Sequence, residues 1–202
     1  MIAVLLLMIQ GLLGVFDGHG DVGHVRRAGT VSYDPARQEY LISGSGQNMW
    51  SDRDDFQFVW KRMAGDFTLA TRARFIGPGI EEHRKIGWTI RPTLASNGVH
   101  VTAAWHGNGL MSLQFRRTIG AMTEENKSRD SLPDADAVIQ LERRGGVYIM
   151  SVGRFGDSLV TQQLSGVSLP DTVYVGLFVC AHTDSVVERA AFRDVRITTT
   201  AR

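Results

Sequence analysis

The fold of this chain is constrained above all by a series of short runs rich in Val, Ile, Phe and Thr, separated by clusters of Gly, Asn, Asp and Pro. Beyond residue 15 the runs either alternate with period two or are uniformly apolar, and no window of helical length stands out, which is typical of β-strands. Without crossover helices, the strands are expected to pair antiparallel, so we predict an all-β, two-sheet antiparallel jelly-roll sandwich. The runs cover 30–34, 39–46, 55–62, 66–75, 85–94, 98–106, 110–117, 137–144, 147–155, 158–164, 172–182 and 189–198.

The organisation along the chain indicates one domain, at residues 15–198. Neither half contains enough strands to close two sheets, and we interpret the polar stretch 118–136 as a surface excursion within that domain. Residues 1–14 are apolar for too short a length to span a bilayer as a helix, but their length suits a signal peptide. We therefore expect a secreted or periplasmic protein, with a first strand or a stray helix as the alternative for this segment.

Charge and cysteine content limit the classes of partner. Lys and Arg number 22 against 21 for Asp and Glu, so a formal net charge of +1 gives no electrostatic reason to expect nucleic acid or anionic lipid. Cys180 is the only cysteine, which excludes an internal disulfide and a thiolate zinc cage. Its apolar surroundings, "VYVGLFVCAH", favour a packed small side chain over a nucleophile activated by His182.

The segment "WHGNGLMSLQFRR", residues 105–117, contains a hairpin whose register can be predicted. A two-residue loop would mix apolar and polar side chains on each face, whereas a three-residue loop, 107–109, separates them. We therefore predict the three-residue loop, with Gly109 in the left-handed region. One face then carries Val101, Ala103, Trp105, Met111, Leu113 and Phe115. The other face is polar and carries His100, Thr102, His106, Ser112, Gln114 and Arg116.

Neighbouring runs follow the same alternation. In 85–94, the side chains of Ile86, Trp88 and Ile90 point inward, and those of Lys85, Gly87, Thr89 and Arg91 point outward. In 137–144, Ile139 and Leu141 point inward, and Gln140, Glu142 and Arg144 point outward. A polar face bearing His, Gln and Arg suits neutral polyhydroxyl ligands, because these side chains offer paired hydrogen bonds and rings for stacking. Cross-strand pairing, for example between Arg116 and Glu142, would explain the same residues.

Other candidate sites are weaker. Trp50, in the loop "GQNMWSD", is either a stacking platform at a groove rim or a core residue, and Trp60 shares the parity of Phe56 and Phe58 and is expected in the core. The carboxylates of "DRDD" (52–55) and "EE" (81–82) fall in turns and are expected to be solvated. Asp17 and Asp21 could bind calcium with backbone carbonyls, although a plain Gly-rich turn fits as well, and no other cofactor is expected.

Catalytic and metal-binding motifs give no positive signal. The strand pattern Glu-x-Asp-x-x-Glu of retaining glucanases does not occur in the sequence. His100 and His106 share a face but lie about 20 Å apart along one strand, too far to bind one ion. Nor does the sequence contain His-Glu-x-x-His, Gly-x-Ser-x-Gly, a P-loop or a dinucleotide fingerprint.

Several segments, taken in order, resemble a known family. They are "GSGQNMW", "DDFQFVWKRMAGDFTLATRARFIG", "HRKIGWTIRPTL", "WHGNGLMSLQFRR", "VIQLERRGGVYIMSV" and "YVGLFVCAH". From about Phe16 to Ile197 the chain resembles the concanavalin A-like jelly-roll domains of the DUF1349 type. Such domains occur in bacterial exported proteins, fused to TolB-like β-propellers. The resemblance implies two packed antiparallel sheets, one with a concave face where related lectins and glucanases hold sugar, and it brings no established activity.

Three functional hypotheses follow. The leading one is a noncatalytic carbohydrate-binding or lectin-like module whose polar face binds through Arg91, His106, Gln114 and Arg116, with His100, His182 and Trp50. The second is a sugar-active enzyme, because a similar "GDFTL" strand and "IR" strand occur in the jelly-roll family acting on 3-keto-disaccharides. His106 or Glu142 would then be the base. The third is a structural module that docks on a β-propeller or another partner and has an apolar surface patch.

Overall fold

The polypeptide is a two-sheet sandwich in a computed structural model, which describes residues 13–133 and 136–199. The predicted apolar segment at 1–14 lies almost wholly outside the described residues. Within the described residues the strands are β1 (Gly18–Val22), β2 (Thr30–Asp34), β3 (Glu39–Gly46), β4 (Met49–Trp50), β5 (Arg53–Asp54), β6 (Phe56–Met63), β7 (Phe67–Ile76), β8 (Lys85–Arg91), β9 (His100–His106), β10 (Leu110–Arg116), β11 (Glu124–Ser131), β12 (Ala137–Arg144), β13 (Val147–Arg154), β14 (Val160–Leu164), β15 (Val173–Cys180) and β16 (Thr183–Thr199).

Fourteen of these described strands form two sheets. Sheet A has the order β1-β6-β15-β8-β9-β10-β11, sheet B has the order β14-β13-β12-β7-β16-β3-β2, and β4 and β5 form a separate ribbon. The pairings among these described strands are antiparallel, as in β8 with β9 and β12 with β7. The predicted all-β, two-sheet antiparallel jelly roll is confirmed.

The strands that sequence patterning missed are short or polar. The stretch 118–136, expected to be a surface excursion, contains β11, which pairs with β10 at the edge of sheet A. Its sequence, "EENKSRDS", carries no apolar side chain, as suits an edge strand that neighbours only one other. At the opposite edge β1 lies against the ring of Trp60, and Gly18 leaves room for that ring.

The hairpin of β9 and β10 has the predicted register. Met111 lies opposite Trp105, so residues 107–109 form a three-residue loop, and Gly109 has a φ of +88°. All six side chains predicted to face inward are buried in the core between the sheets, as are those predicted inward on β8 and β12. The two-residue loop Gly145-Gly146 joins β12 and β13, with both φ angles positive.

A second apolar cluster lies on the face of sheet A turned away from sheet B. It contains Phe56, Phe58, Phe178 and Cys180, with Met49 from the β4–β5 ribbon packed against them. Trp60 packs at the margin of this cluster, so its expected place in the main core is wrong, although its parity with Phe56 and Phe58 was right. Cys180 is fully buried, consistent with a packed side chain. No helix in the described part of the chain is long and apolar enough to cross a membrane.

We expect Gly109→Ala to destabilise the fold more than Gly145→Ala. A Cβ at Gly109 would lie 2.5 Å from Ser131 Oγ and 2.8 Å from Pro133 N, whereas a Cβ at Gly145 meets nothing within 4 Å. Both changes force a left-handed backbone on alanine, at a cost of roughly 1–3 kcal/mol, and only the first adds a clash. Urea unfolding of the two variants measures the difference, and equal midpoints would contradict this account of the hairpin.

Candidate ligand-binding cleft

The outer face of sheet A, turned away from sheet B, is covered at one end by the loop segment 47–55. Asp54 of this segment is fully buried, and its carboxylate lies between the guanidinium groups of Arg91 and Arg116. Arg116 donates to both carboxylate oxygens, at 3.0 and 2.8 Å, and Arg91 donates to one of them at 3.0 Å. The expectation that the carboxylates of 52–55 are solvated is therefore wrong for Asp54, and also for Asp55, which is 9% exposed.

Both arginines also hold neighbouring loops in place. Arg116 donates to the backbone carbonyls of Ser51, Ser96, Gly98 and Ala121 and to the hydroxyl of Thr123. Arg91 donates to the carbonyls of Thr93 and Ala95. Buried backbone carbonyls need hydrogen-bond donors, and these two side chains supply donors to carbonyls of three loops.

His100 belongs to the same buried network. Its Nδ1 lies 3.0 Å from Thr102 Oγ1, and its Nε2 lies 3.9 Å from Asp54 Oδ1. Burial lowers the pKa of His100 to about 4, although Asp54 opposes that shift. Burial alone would raise the pKa of Asp54, but His100 and the two arginines lower it below its ordinary value. Three predicted ligand-binding residues, Arg91, His100 and Arg116, thus have no surface open to a ligand.

The other end of the same face holds an open cleft of about 230 Å³. It gathers four of the predicted binding residues, namely Trp50, His106, Gln114 and His182, and six that were not predicted as binding residues. The six are Asn48, His83, Lys85, Leu110, Glu125 and Lys127. Strands β8 to β11 supply the floor, and the segment 47–55 and the residues flanking β8 and β15 supply the rim.

A chain of hydrogen bonds fixes the orientation of Gln114. Nδ1 of His106 lies 2.9 Å from the carbonyl of Leu110, which can only accept, so Nδ1 carries the proton. His106 Nε2 is then an acceptor, and the Gln114 Nε2 donates to it at 3.4 Å. The remaining Gln114 atom, Oε1, is buried and has no partner among the described residues.

Lys85 lies beside this pair with its side chain buried. Its Nζ donates to Asn48 Oδ1 at 2.6 Å and to His182 Nδ1 at 3.5 Å. Burial lowers the pKa of Lys85, and Cys180, Glu125 and Asp54 oppose that shift. The ring of His83 lies 6.0 Å from that of His106 and 5.5 Å from that of His182, so the three imidazoles surround the mouth of the cleft.

His106 and His182 are neutral near pH 7. Burial, followed by the charge of Lys85, lowers the pKa of His106 to about 3 and that of His182 to about 4. Glu125, opposite Gln114 on β11, pairs with Lys127 at 3.2 Å. The cleft therefore offers neutral donors and acceptors together with charged groups, next to the half-buried ring of Trp50.

The remaining predicted residues lie elsewhere. Glu142 is on β12 of sheet B, where it pairs with Arg144, so it meets neither His106 nor Arg116. Asp17 accepts from the backbone of Arg62 and from Lys61, and Asp21 accepts from the backbone of Gly29. Asp17 and Asp21 are separated by four residues of extended chain, about 13 Å, so they cannot bind one calcium ion together. Within 13–133 and 136–199, no group of three acidic, His or Cys side chains could hold a metal ion.

The cleft residues that were not predicted differ in how clearly the sequence pattern indicated their position. Lys85 was predicted to point outward on the same face as His106, and that alternation was the available signal. Glu125 and Lys127 depend on β11, which the apolar pattern did not reveal. Asn48 and His83 come from loops, whose position over the sheet has no periodic signature.

Comparison of the structure with solved proteins identifies the architecture. A functionally unknown protein from Saccharomyces cerevisiae superposes with a TM-score of 0.69 at 14% identity, covering 91% of this chain and 97% of that one. The fold is a jelly-roll sandwich of the concanavalin A-like type. The family 7 alginate lyase A1-II′, in complex with a product, gives 0.61 at 8% identity over 90% of this chain and 94% of its own. The carbohydrate-binding module CBM66 from Bacillus subtilis gives 0.55 at 15% identity over 92% and 98%.

These similarities establish the fold alone, because each identity is low. No protein-family model and no curated protein sequence matches the chain. The sandwich therefore accommodates both sugar-binding and sugar-cleaving proteins, and the cleft has to be interpreted from its own side chains.

We expect Asp54→Asn to cost roughly 3–5 kcal/mol of stability, because it leaves two buried guanidinium groups without a compensating charge. Asp52→Asn is the matched control, since Asp52 is half exposed and pairs with the exposed Arg53. Thermal and urea unfolding of both variants provide the measurement. A loss for Asp54→Asn no larger than for the control would contradict the structural role of this carboxylate.

Stability should also fall as the solution becomes mildly acidic. His100 and His106 have pKa values near 4 and 3 in the folded protein, below the ordinary 6.5, so the unfolded chain takes up protons first. The free energy of unfolding should be highest above pH 6.5 and decline toward pH 4, by roughly 1.4 kcal/mol per unit for each histidine.

The window from pH 6.5 to 5 isolates these histidines from most carboxylates. There His106→Gln should make the decline less steep without removing it, because His100 and His182 still contribute. His24→Gln, at an exposed histidine, should leave the decline unchanged. Urea midpoints across this range measure the slope. A stability independent of pH over the window would contradict the burial of neutral imidazoles.

Proposed function

We propose that this protein is a noncatalytic carbohydrate-binding, lectin-like module whose site is the cleft on the outer face of sheet A. The observation that carries the proposal is the Oε1 atom of Gln114. It is buried in the cleft floor and has no hydrogen-bond partner among the described residues, while its amide nitrogen donates to His106. A buried acceptor left open costs about 1–3 kcal/mol, so a hydroxyl donor entering the cleft is favoured.

The remaining cleft groups support the same ligand class. His182 accepts from Lys85 at Nδ1, which leaves Nε2–H as a donor, and Glu125 supplies acceptor oxygens. Trp50 supplies an aromatic surface at the rim, the group on which sugar rings stack. Closely spaced donors, acceptors and one aromatic ring are the inventory that a polyhydroxyl ligand requires.

The noncatalytic part of the proposal rests on the chemistry of the candidate bases. A general base works best with a pKa near the operating pH, whereas the pKa of His106 is about 3. Its Nε2 also accepts from Gln114. Glu142, the other candidate base, lies on the opposite sheet. The sugar-active enzyme remains the alternative hypothesis, and the alginate lyase with the same fold keeps it open.

Three of the sequence-based expectations remain predictions. They comprise membership of the DUF1349 type, a β-propeller partner, and a secreted or periplasmic location. A structural docking module is the third hypothesis, but the cleft and its open acceptor favour a small ligand over a docking face.

Gln114→Ala should reduce sugar binding by about tenfold to a hundredfold, because it removes both the open acceptor and the amide that donates to His106. Gln163→Ala is the matched control, since Gln163 is exposed on β14 of sheet B. Isothermal titration against a panel of neutral and acidic mono- and oligosaccharides measures the affinities. Retained binding in Gln114→Ala, or binding of no sugar to the unaltered protein, would contradict the proposal.

A further inference from the structure

We propose that the cleft selects an acidic sugar, a uronic-acid residue whose carboxylate is held by the buried ammonium of Lys85. This inference rests on the proposed carbohydrate-binding function and adds the chemical class of the ligand. It differs from the sequence-based expectation of a neutral polyhydroxyl ligand. The local charge of the cleft favours an anion, although the net charge of the whole chain is only +1.

Lys85 is a buried cation that pairs with no carboxylate in the described part of the chain. It is 3% exposed, and among the described residues no carboxylate lies within 4 Å of its Nζ, in contrast to the buried Arg84, which pairs with Glu188 at 2.6 Å. Its two hydrogen-bond partners, Asn48 and His182, are neutral acceptors. An ammonium has three donors, so one N–H is left for a ligand in the cleft that Lys85 lines.

The charges around the cleft leave a positive excess. Among the described residues that line the cleft, Lys85 and Lys127 contribute two positive charges and Glu125 one negative charge, so these three groups sum to +1. Glu125 is already engaged with Lys127 at 3.2 Å. A carboxylate bound beside Lys85 would complete the buried ion pair, and charge-assisted hydrogen bonds of this kind are the strong ones.

A uronic acid combines the two chemistries that the cleft presents. Its ring hydroxyls can donate to Gln114 Oε1, and its carboxylate can accept from Lys85. Simple anions such as phosphate or acetate would use Lys85 but leave Gln114 and Trp50 without contacts. Among sugars, the cleft should therefore prefer those that carry a carboxylate. Among anions, it should prefer those that carry ring hydroxyl groups.

The direct test compares each acidic sugar with its own neutral form on the unaltered protein. Titration calorimetry would use trimers of galacturonate, guluronate, mannuronate and glucuronate, each beside its methyl ester, which keeps the ring and hydroxyls and removes the charge. We expect at least one acid to bind about tenfold to a hundredfold more tightly than its ester, with an affinity that falls as salt is added.

Two variants tie the charge preference to this site. Lys85→Met keeps a long side chain and should abolish the difference between acid and ester. Lys61→Met, which removes the same charge from β6 where Lys61 pairs with Asp17, should leave it intact. Glu125→Gln removes a negative charge from the cleft and should therefore increase the preference for the acid. This variant tests the inference even if Lys85→Met fails to fold.

Each outcome separates the two proposals. Equal or tighter binding of the ester overturns the acidic preference and leaves carbohydrate binding intact. A preference for the acid that survives in well-folded Lys85→Met, or that weakens in Glu125→Gln, also overturns it. Failure of every acid, ester and neutral sugar to bind overturns the proposed function together with this inference.

Discussion

The carboxylate of Asp54, buried between two arginines, is the interaction on which the rest of this site depends. The outer face of sheet A carries Arg91 and Arg116 at one end, and a sheet cannot bury two such cations without an anion. Asp54 supplies it from the β4–β5 ribbon and thereby draws the segment 47–55 across the face. The same segment brings Met49 onto the aromatic cluster and places Asn48 and Trp50 beside Lys85.

The polar face is consequently divided into two parts with different roles. At the Asp54 end nearly every donor is used on carboxylate or backbone oxygens, and the side chains are closed to solvent. At the other end the segment 47–55 no longer covers the face, and His106, Gln114 and Lys85 line an open cleft. Small side chains, Ala104 and Ser112, lie between the two strand positions that carry His106 and Gln114, which lets those two polar groups meet. Identical residue types thus serve folding in one place and are available for recognition in the other.

Sequence reasoning reached the fold because alternation determines which side of a sheet a residue occupies. The register of the β9–β10 hairpin followed from the need to bury Trp105, Leu113 and Phe115 together. That reasoning could not tell a solvated polar face from a covered one, because the cover comes from residues distant in sequence. Asp54 lies 62 positions from Arg116, and nothing in "DRDD" distinguishes the buried aspartate from its exposed neighbour Asp52. Edge strands posed the same difficulty, since β11 is held by backbone pairing without any apolar side chain.

Chemical-shift mapping of an oligosaccharide titration by heteronuclear NMR is the measurement that tests the central claim most directly. The account predicts that the side-chain amides of Gln114 and Asn48 and the indole N–H of Trp50 shift together and saturate at one concentration. The guanidinium signals of Arg91 and Arg116 should remain in place, because these groups are closed to the ligand. Shifts confined to the outer face of sheet B, or a ligand that moves the two arginines and leaves Gln114 unchanged, would contradict the location of the site.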